Sequence, residues 1–396
     1  MSIRSLFIYS VLILCVYNSY TQAQSITWQE KYLKLARISI NENRCHDALR
    51  YLDSLQQATL TREGELEAIT LVAKSYGILA LEPSCSETDN FGVCSEYVTE
   101  TINNYNLILQ KTDIGEIFNQ FTKAELDRFY DNLITAGANQ FITQNFQGAA
   151  FYFDQALLVN SDDPINCRYG MIANELCNNY DKALEYSNML LDLNYDSINV
   201  YESRSLYYEQ LKAPQKAIEE VENGLAKHPV NYKLTYRGIG ICVRNKWFNK
   251  AIDLIDPILK KYPFDERTLM TAGMLSEAVQ DHKKAIFYYV RAANISPTRF
   301  DAYMSLSQVQ FNEAIKLQKI LMNWNNNKKK PEYKNVHKSD LRKESKFYLE
   351  LTVKNASEAS RLNKEDKESL TTKYNALLLL NRTKELKDVE ETLDKM

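Results

Sequence analysis

Five alanines, Ala149, Ala183, Ala217, Ala251 and Ala285, stand 34 residues apart without a slip. A fixed period of this length marks a chain built by repeating one supersecondary unit, which cannot bury its apolar face alone and stacks on the next copy. Other positions keep the same phase. Pro229, Pro263 and Pro297 each follow their alanine by 12 residues, and Ala156, Leu190, Gly224, Ile258 and Ala292 follow theirs by seven. Between Asp181 and Leu193 the apolar residues Ala183, Leu184, Tyr186, Met189, Leu190, Leu191 and Leu193 fall at helical spacing, in a stripe too broad for one partner helix to cover. Lys212-Ala213-Pro214 predicts a reversal, since proline cannot continue one helix but suits the first turn of the next. The phase then places the turns near Gln144, Asn178, Lys212, Lys246 and Gln280.

On this frame residues 130–299 resemble the tetratricopeptide repeat family, in which small residues at motif positions 8, 20 and 27 let two helices cross closely and a proline often closes the second. Position 8 is Gly137 and Gly273 in two repeats but Met171, Ser205 and Ile239 in the other three, which bears on how tightly each pair crosses. The resemblance implies an all-α chain, an α-solenoid of helix-turn-helix repeats wound as a right-handed superhelix, with a concave binding face. The expected segments are a leader at 1–23, less regular helical repeats at 24–129 and five phased repeats at 130–299. An extended final repeat with a polar Lys/Asn-rich insertion follows at 300–362, then a capping pair at 363–396. That ending resembles a group of exported tetratricopeptide proteins of Gram-negative bacteria.

The leader reads as an export signal: Arg4 gives a positive start, Leu6 to Val16 are apolar apart from Ser10, and Thr21-Gln22-Ala23 offers a small-residue cleavage site. The apolar run is short for a membrane span. The expectation is an exported protein of the periplasm or one that is secreted, with an uncleaved anchor as the alternative. In an oxidising compartment Cys85 and Cys94, at the two ends of a polar loop, are expected to form a disulfide, with Cys45 to either as the alternative. Cys167, Cys177 and Cys242 read as small buried apolar side chains. The net charge of -3 argues against general nucleic-acid binding, which needs a basic footprint. Asn294, Asn355 and Asn381 each begin a glycosylation triplet, a pattern that also arises by chance.

Four histidines, His46, His228, His282 and His337, are scattered, and no phosphate loop or His/Cys metal pattern occurs. No catalytic activity and no cofactor are expected. The paired acids Glu219-Glu220 and Glu390-Glu391 read as solvated helix faces. The resemblance directs attention to the groove. It places Arg168 and Tyr169 there in one repeat, Ser203 with Glu202 and Glu209 in the next, then Lys233, Tyr236, Arg237 and Arg244, then Arg267. Lys233 and Arg237 also fall on two basic positions of the carboxylate clamp of some tetratricopeptide domains. Arg168 takes the place of a third, while Ile172 and Ser203 replace its asparagines.

Cations beside aromatic rings suit a peptide bearing acidic groups or a free C-terminal carboxylate. Ion pairs with Glu202 and Glu209 are the alternative use of those cations. The functional expectation is therefore a noncatalytic scaffold that binds a protein or peptide. The alternative is an accessory subunit of an envelope machine for secretion, wall assembly or glycan uptake.

Overall fold

In the computed structural model, residues 28–56, 59–111, 115–195 and 197–396 are described. The expected leader and its cleavage site lie outside them. All regular structure among the described residues is helical. The contacts divide the chain into two compact units, one ending at Val200 and the next starting at Tyr201, so the division falls inside a helix of the phased stretch.

The first unit holds α1 (28–41), α2 (Cys45–Asp53), α3 (Arg62–Leu79), α4 (Phe91–Leu109), α5 (Glu116–Ile142), α6 (Phe146–Val159), α7 (Pro164–Leu176), α8 (Tyr180–Asp192) and the start of α9 (Ile198–Gln210). Most of α9 opens the second unit. It is followed by α10 (Pro214–Lys227), α11 (Tyr232–Arg244), α12 (Phe248–Lys261), α13 (Glu266–Ala278), α14 (His282–Ile295), α15 (Phe300–Met322), the short α16 (Trp324–Asn327), α17 (Lys338–Leu362), α18 (Lys367–Leu379) and α19 (Thr383–Asp394). Within each unit consecutive helices pack on one another, for example α5 on α6 and α7 on α8, then α11 on α12 and α13 on α14. The fold class is an α-solenoid of helix-turn-helix pairs.

The turns explain the period. Gln144, Asn178, Lys212, Lys246 and Gln280 all have positive φ, between 56° and 64°, and end the first helix of each pair in the left-handed conformation. Each is followed by the same closing bond: Asn145, Asn179, Ala213, Trp247 and Asp281 donate their backbone N–H to the carbonyl five residues back, at 2.8 to 2.9 Å. Asn43 and Asn381 close the outer pairs in the same way, with Arg44 and Arg382 as the donors. Side-chain caps open several helices: Asn145 accepts from the N–H of Gly148, Asn231 from Leu234, Asp281 from Lys284 and Asp366 from Ser369.

The five repeating alanines are fully buried. The close crossing is made by a glycine against the side chain 16 residues later. A Cβ on Gly137 would lie 2.7 Å from the Phe153 ring, on Gly170 2.3 Å from Tyr186, on Gly238 2.8 Å from Leu254 and on Gly273 2.4 Å from Tyr289. The departures at Met171 and Ile239 therefore do not loosen their pairs, because the glycine one position earlier makes the approach. In the middle pair Arg204 takes the glycine's place, and its partner 16 residues on is Glu220. Arg204 Nε and Nη2 donate to the two carboxylate oxygens at 2.7 and 2.8 Å, with both side chains about nine-tenths buried. The expectation of a solvated Glu220 is thus corrected: it faces α9, whereas Glu219 on the next position is exposed.

Two further expectations are adjusted. Cys167 and Cys242 are buried, but Cys177 caps the end of α7 and is only half-buried. Asn355 is buried and donates its side-chain N–H to Gln310 at 2.8 Å, which removes it as a glycan acceptor.

Cys85 and Cys94 form a disulfide with Cα atoms 5.6 Å apart, and Cys45 is free and buried. The bridge packs with Ala80, Val98, Phe129, Leu133 and Phe151 in the core of the first unit. Closing so short a loop is worth about 2 to 3 kcal/mol, and in a repeat array the effect stays near its source. Replacing both cysteines by serine is expected to speed amide exchange in α4 and the loop before it and to leave α10 to α14 unchanged. Equal loss of protection in both units would refute that locality.

Candidate ligand-binding groove

Side chains of neighbouring repeats meet along successive first helices and their N-caps. In the first unit the Tyr130 hydroxyl donates to Asp163 at 2.6 Å. In the second, Arg237 Nε donates to the Ser205 hydroxyl at 2.9 Å and the Tyr236 hydroxyl lies 3.2 Å from that of Thr268. These contacts, 32 or 33 residues apart, join neighbouring repeats at positions offset by one or two from the 34-residue period. The helix pairs have the helix-turn-helix form of the tetratricopeptide repeats that the sequence resembles.

Comparison with known proteins finds no family model that matches the chain and no curated protein that matches it. Solved structures resemble it at low identity. A tetratricopeptide protein of Bacteroides fragilis is 16% identical, covering 63% of this chain and 98% of its own, with a TM-score of 0.34. YrrB, described as a tetratricopeptide protein with an unusual peptide-binding site, is 15% identical over 46% of this chain and 95% of its own, with a TM-score of 0.35. MamA of Desulfovibrio magneticus is 13% identical over 52% and 97%, with a TM-score of 0.33. The repeat assignment stands on this chain's own turns and crossings.

Among the expected ligand-binding residues, Arg168 and Tyr169 stand on α7 in the first unit. The Arg168 guanidinium lies 5.2 Å from the centre of the Tyr169 ring, which in turn stacks on Phe153 with centroids 6.0 Å apart. Hydrogen bonding to the Tyr195 and Tyr169 hydroxyls favours the charged form of Arg168 and raises its pKa.

The other six residues stand in the second unit, and five of them fall into three sets of contacts: Lys233 with Glu202, Arg237 and Arg244 with Glu209, and Arg267 with Tyr236. Lys233 Nζ lies 2.5 Å from Glu202. Glu209 is shared, with Oε2 2.6 Å from Arg237 Nη2 and Oε1 2.7 Å from Arg244 Nη2. The Arg237 contact is an ion pair by distance without hydrogen-bond alignment, so that buried nitrogen has no acceptor. Burial pushes the Arg237 pKa down while Glu209 opposes the shift, and an arginine remains cationic throughout. Arg267 covers the Tyr236 ring at 4.4 Å, and Tyr236 stacks with Tyr232 at 6.4 Å. Ser203 is half-buried on α9; the hydroxyl that reaches Arg237 belongs to Ser205 instead.

These ion pairs support the alternative anticipated from sequence: the chain's own carboxylates engage Lys233, Arg237 and Arg244. Lys233 and Arg244 remain about half exposed, at 51% and 58% of their side-chain surface, so a ligand can still reach them. Among the described residues no group of three or more His, Cys, Asp or Glu side chains is placed to hold a metal. His282 opens α14 and is buried, with Nδ1 2.9 Å from Glu313. Sequence reasoning missed the pairing of Arg204 with Glu220, whose signal is the 16-residue crossing distance that the glycine contacts define in three dimensions.

Proposed function

We propose that this protein is a noncatalytic scaffold of the periplasm or cell envelope that binds a protein or peptide through the face built by α9, α11 and α13. The observation that carries this reading is Glu209 held between Arg237 and Arg244, because an internal carboxylate already occupies the place where an acidic side chain or C-terminus of a ligand would be recognised. Arg267 over Tyr236 extends the face with a ring and a cation. The apolar leader and the Cys85–Cys94 bridge support an exported location.

Fluorescence anisotropy with a synthetic peptide ending in aspartate and a free carboxylate, compared with its C-terminal amide, tests the site. Arg237→Ala is expected to weaken binding by about 1.5 to 3 kcal/mol, roughly tenfold to a hundredfold. Glu209→Gln is expected to act in the opposite direction, since it releases two arginines from the internal carboxylate. Unchanged binding after Arg237→Ala and Lys233→Ala together, or weaker binding after Glu209→Gln, would defeat the proposal.

A further inference from the structure

The helix α3 is apolar around more of its circumference than a helix pair can cover. Leu66, Leu71, Ala73 and Leu79 are buried, yet Ile69, Val72 and Tyr76 on another side line a cavity of about 950 Å³. Leu49 and Leu52 of α2 and Leu107 of α4 add to its apolar surface, and Leu107 is 48% exposed. The volume lies near the upper end of the range for ligand sites, about 300 to 1,000 Å³, so several apolar side chains fit at once.

The charges at its edge are not balanced. Arg50 is held by Asp47, and Glu65 is held by Lys111 at 2.8 Å. Asp53, also lining the cavity, is exposed and makes no ion pair with another described residue. Burial raises the pKa of the Tyr76 phenol first, and Glu100, Tyr97 and lastly Asp53 raise it further.

We infer that this cavity is a docking site for a partner protein segment that inserts apolar side chains against Ile69, Val72 and Leu107 and sets a lysine or arginine against Asp53. The lining residues named all belong to the first unit, and none of them stands on α9, α11 or α13. The cavity binds a segment of the opposite charge, so its success or failure is independent of the proposal for the groove.

The test uses the full chain and a labelled amphipathic peptide of leucine and lysine, with a leucine and glutamate peptide of the same pattern as its counterpart. The basic peptide is expected to bind about tenfold or more tightly than the acidic one, and its binding is expected to protect amides of α2 and α3 from exchange. Val72→Glu should weaken it by about tenfold or more, through a charge placed on the apolar floor. Asp53→Lys, at an exposed position that leaves the fold intact, should weaken it by about tenfold and remove the preference for the basic peptide. No binding of the basic peptide, equal binding of both peptides, protection confined to other helices, or indifference to Asp53→Lys would each overturn the inference. A peptide of residues 1–23 that binds more tightly than the leucine and lysine peptide would overturn the assignment to a partner and make the chain's own leader the occupant.

Discussion

Replacing Glu220 by alanine is expected to destabilise the second unit by about 3 to 5 kcal/mol, because a buried guanidinium loses the carboxylate that accepts two of its hydrogen bonds. The cost comes from leaving Arg204 buried beside an apolar side chain, and it should exceed that of an exposed pair such as Arg361 with Glu358, which water screens. A compensating variant separates this cause from a general intolerance of change. Arg204→Gly with Glu220→Tyr writes into this pair the contact that Gly170 makes with Tyr186 and Gly273 with Tyr289, and is expected to recover most of the loss. Denaturant unfolding, combined with amide exchange in α10, would measure both. A loss below about 1 kcal/mol for Glu220→Ala would show that the pair contributes little to holding α9 and α10 together.

The second large effect is expected at Tyr186. Its ring is fully buried against Gly170, and its hydroxyl donates to Asp154 at 2.5 Å. Truncation to alanine should cost about 3 to 5 kcal/mol through the cavity it opens. Tyr186→Phe keeps the ring and isolates the hydrogen bond, at about 1 to 3 kcal/mol near neutral pH.

The phenylalanine variant should also change how stability depends on pH. Burial already raises the Asp154 pKa above its ordinary value of 3.8, and the Tyr186 hydroxyl acts against that shift. Without the hydroxyl the folded-state pKa rises further. Between the unfolded and folded values the native state binds more protons, so stability falls as pH rises upward from about 4 and is recovered on acidification. The difference between Tyr186→Phe and the parent should therefore shrink as pH is lowered toward 4. A difference that stays constant from pH 4 to pH 7 would place the cost of the substitution elsewhere.

Much of the fold was legible because a repeat writes the same physical requirement many times. The alanine at each crossing and the fixed distance to the next turn located Gln144, Asn178, Lys212, Lys246 and Gln280 as the reversal points, and each has the positive φ that ends a helix there. What resisted reading were features that occur once. Arg204 and Glu220 look like surface charges until the 16-residue crossing distance is known, and that distance emerges from Gly137, Gly170, Gly238 and Gly273 only in three dimensions. Met171 and Ile239 suggested looser pairs because a one-residue displacement of the close contact leaves no trace in the 34-residue frame.

The groove was legible in composition and not in pairing. Lys233, Arg237 and Arg244 were identifiable as cations on one face, and Glu202 and Glu209 as their nearest acids, but whether those charges meet depends on side-chain reach across neighbouring helices. The cavity in the first unit had a quieter signal, the excess of apolar residues in α3. Such an excess is equally suited to a fully buried helix, so the exposed part became visible only once α2 and α4 were in place.

The turn residues at 144, 178, 212, 246 and 280 differ in chemistry, being glutamine, asparagine, lysine, lysine and glutamine, while their backbone conformation is the same. Side-chain identity at these points is thus loosely constrained, and spacing is tightly constrained. Change in chain length is then quantised. Gain or loss of a whole 34-residue block returns every alanine, glycine and left-handed turn to a neighbour of the right kind, whereas a single inserted residue inside a helix throws its buried stripe about 100° out of register. An ancestor of this array could have grown or shortened by entire repeats while drifting freely at the bends.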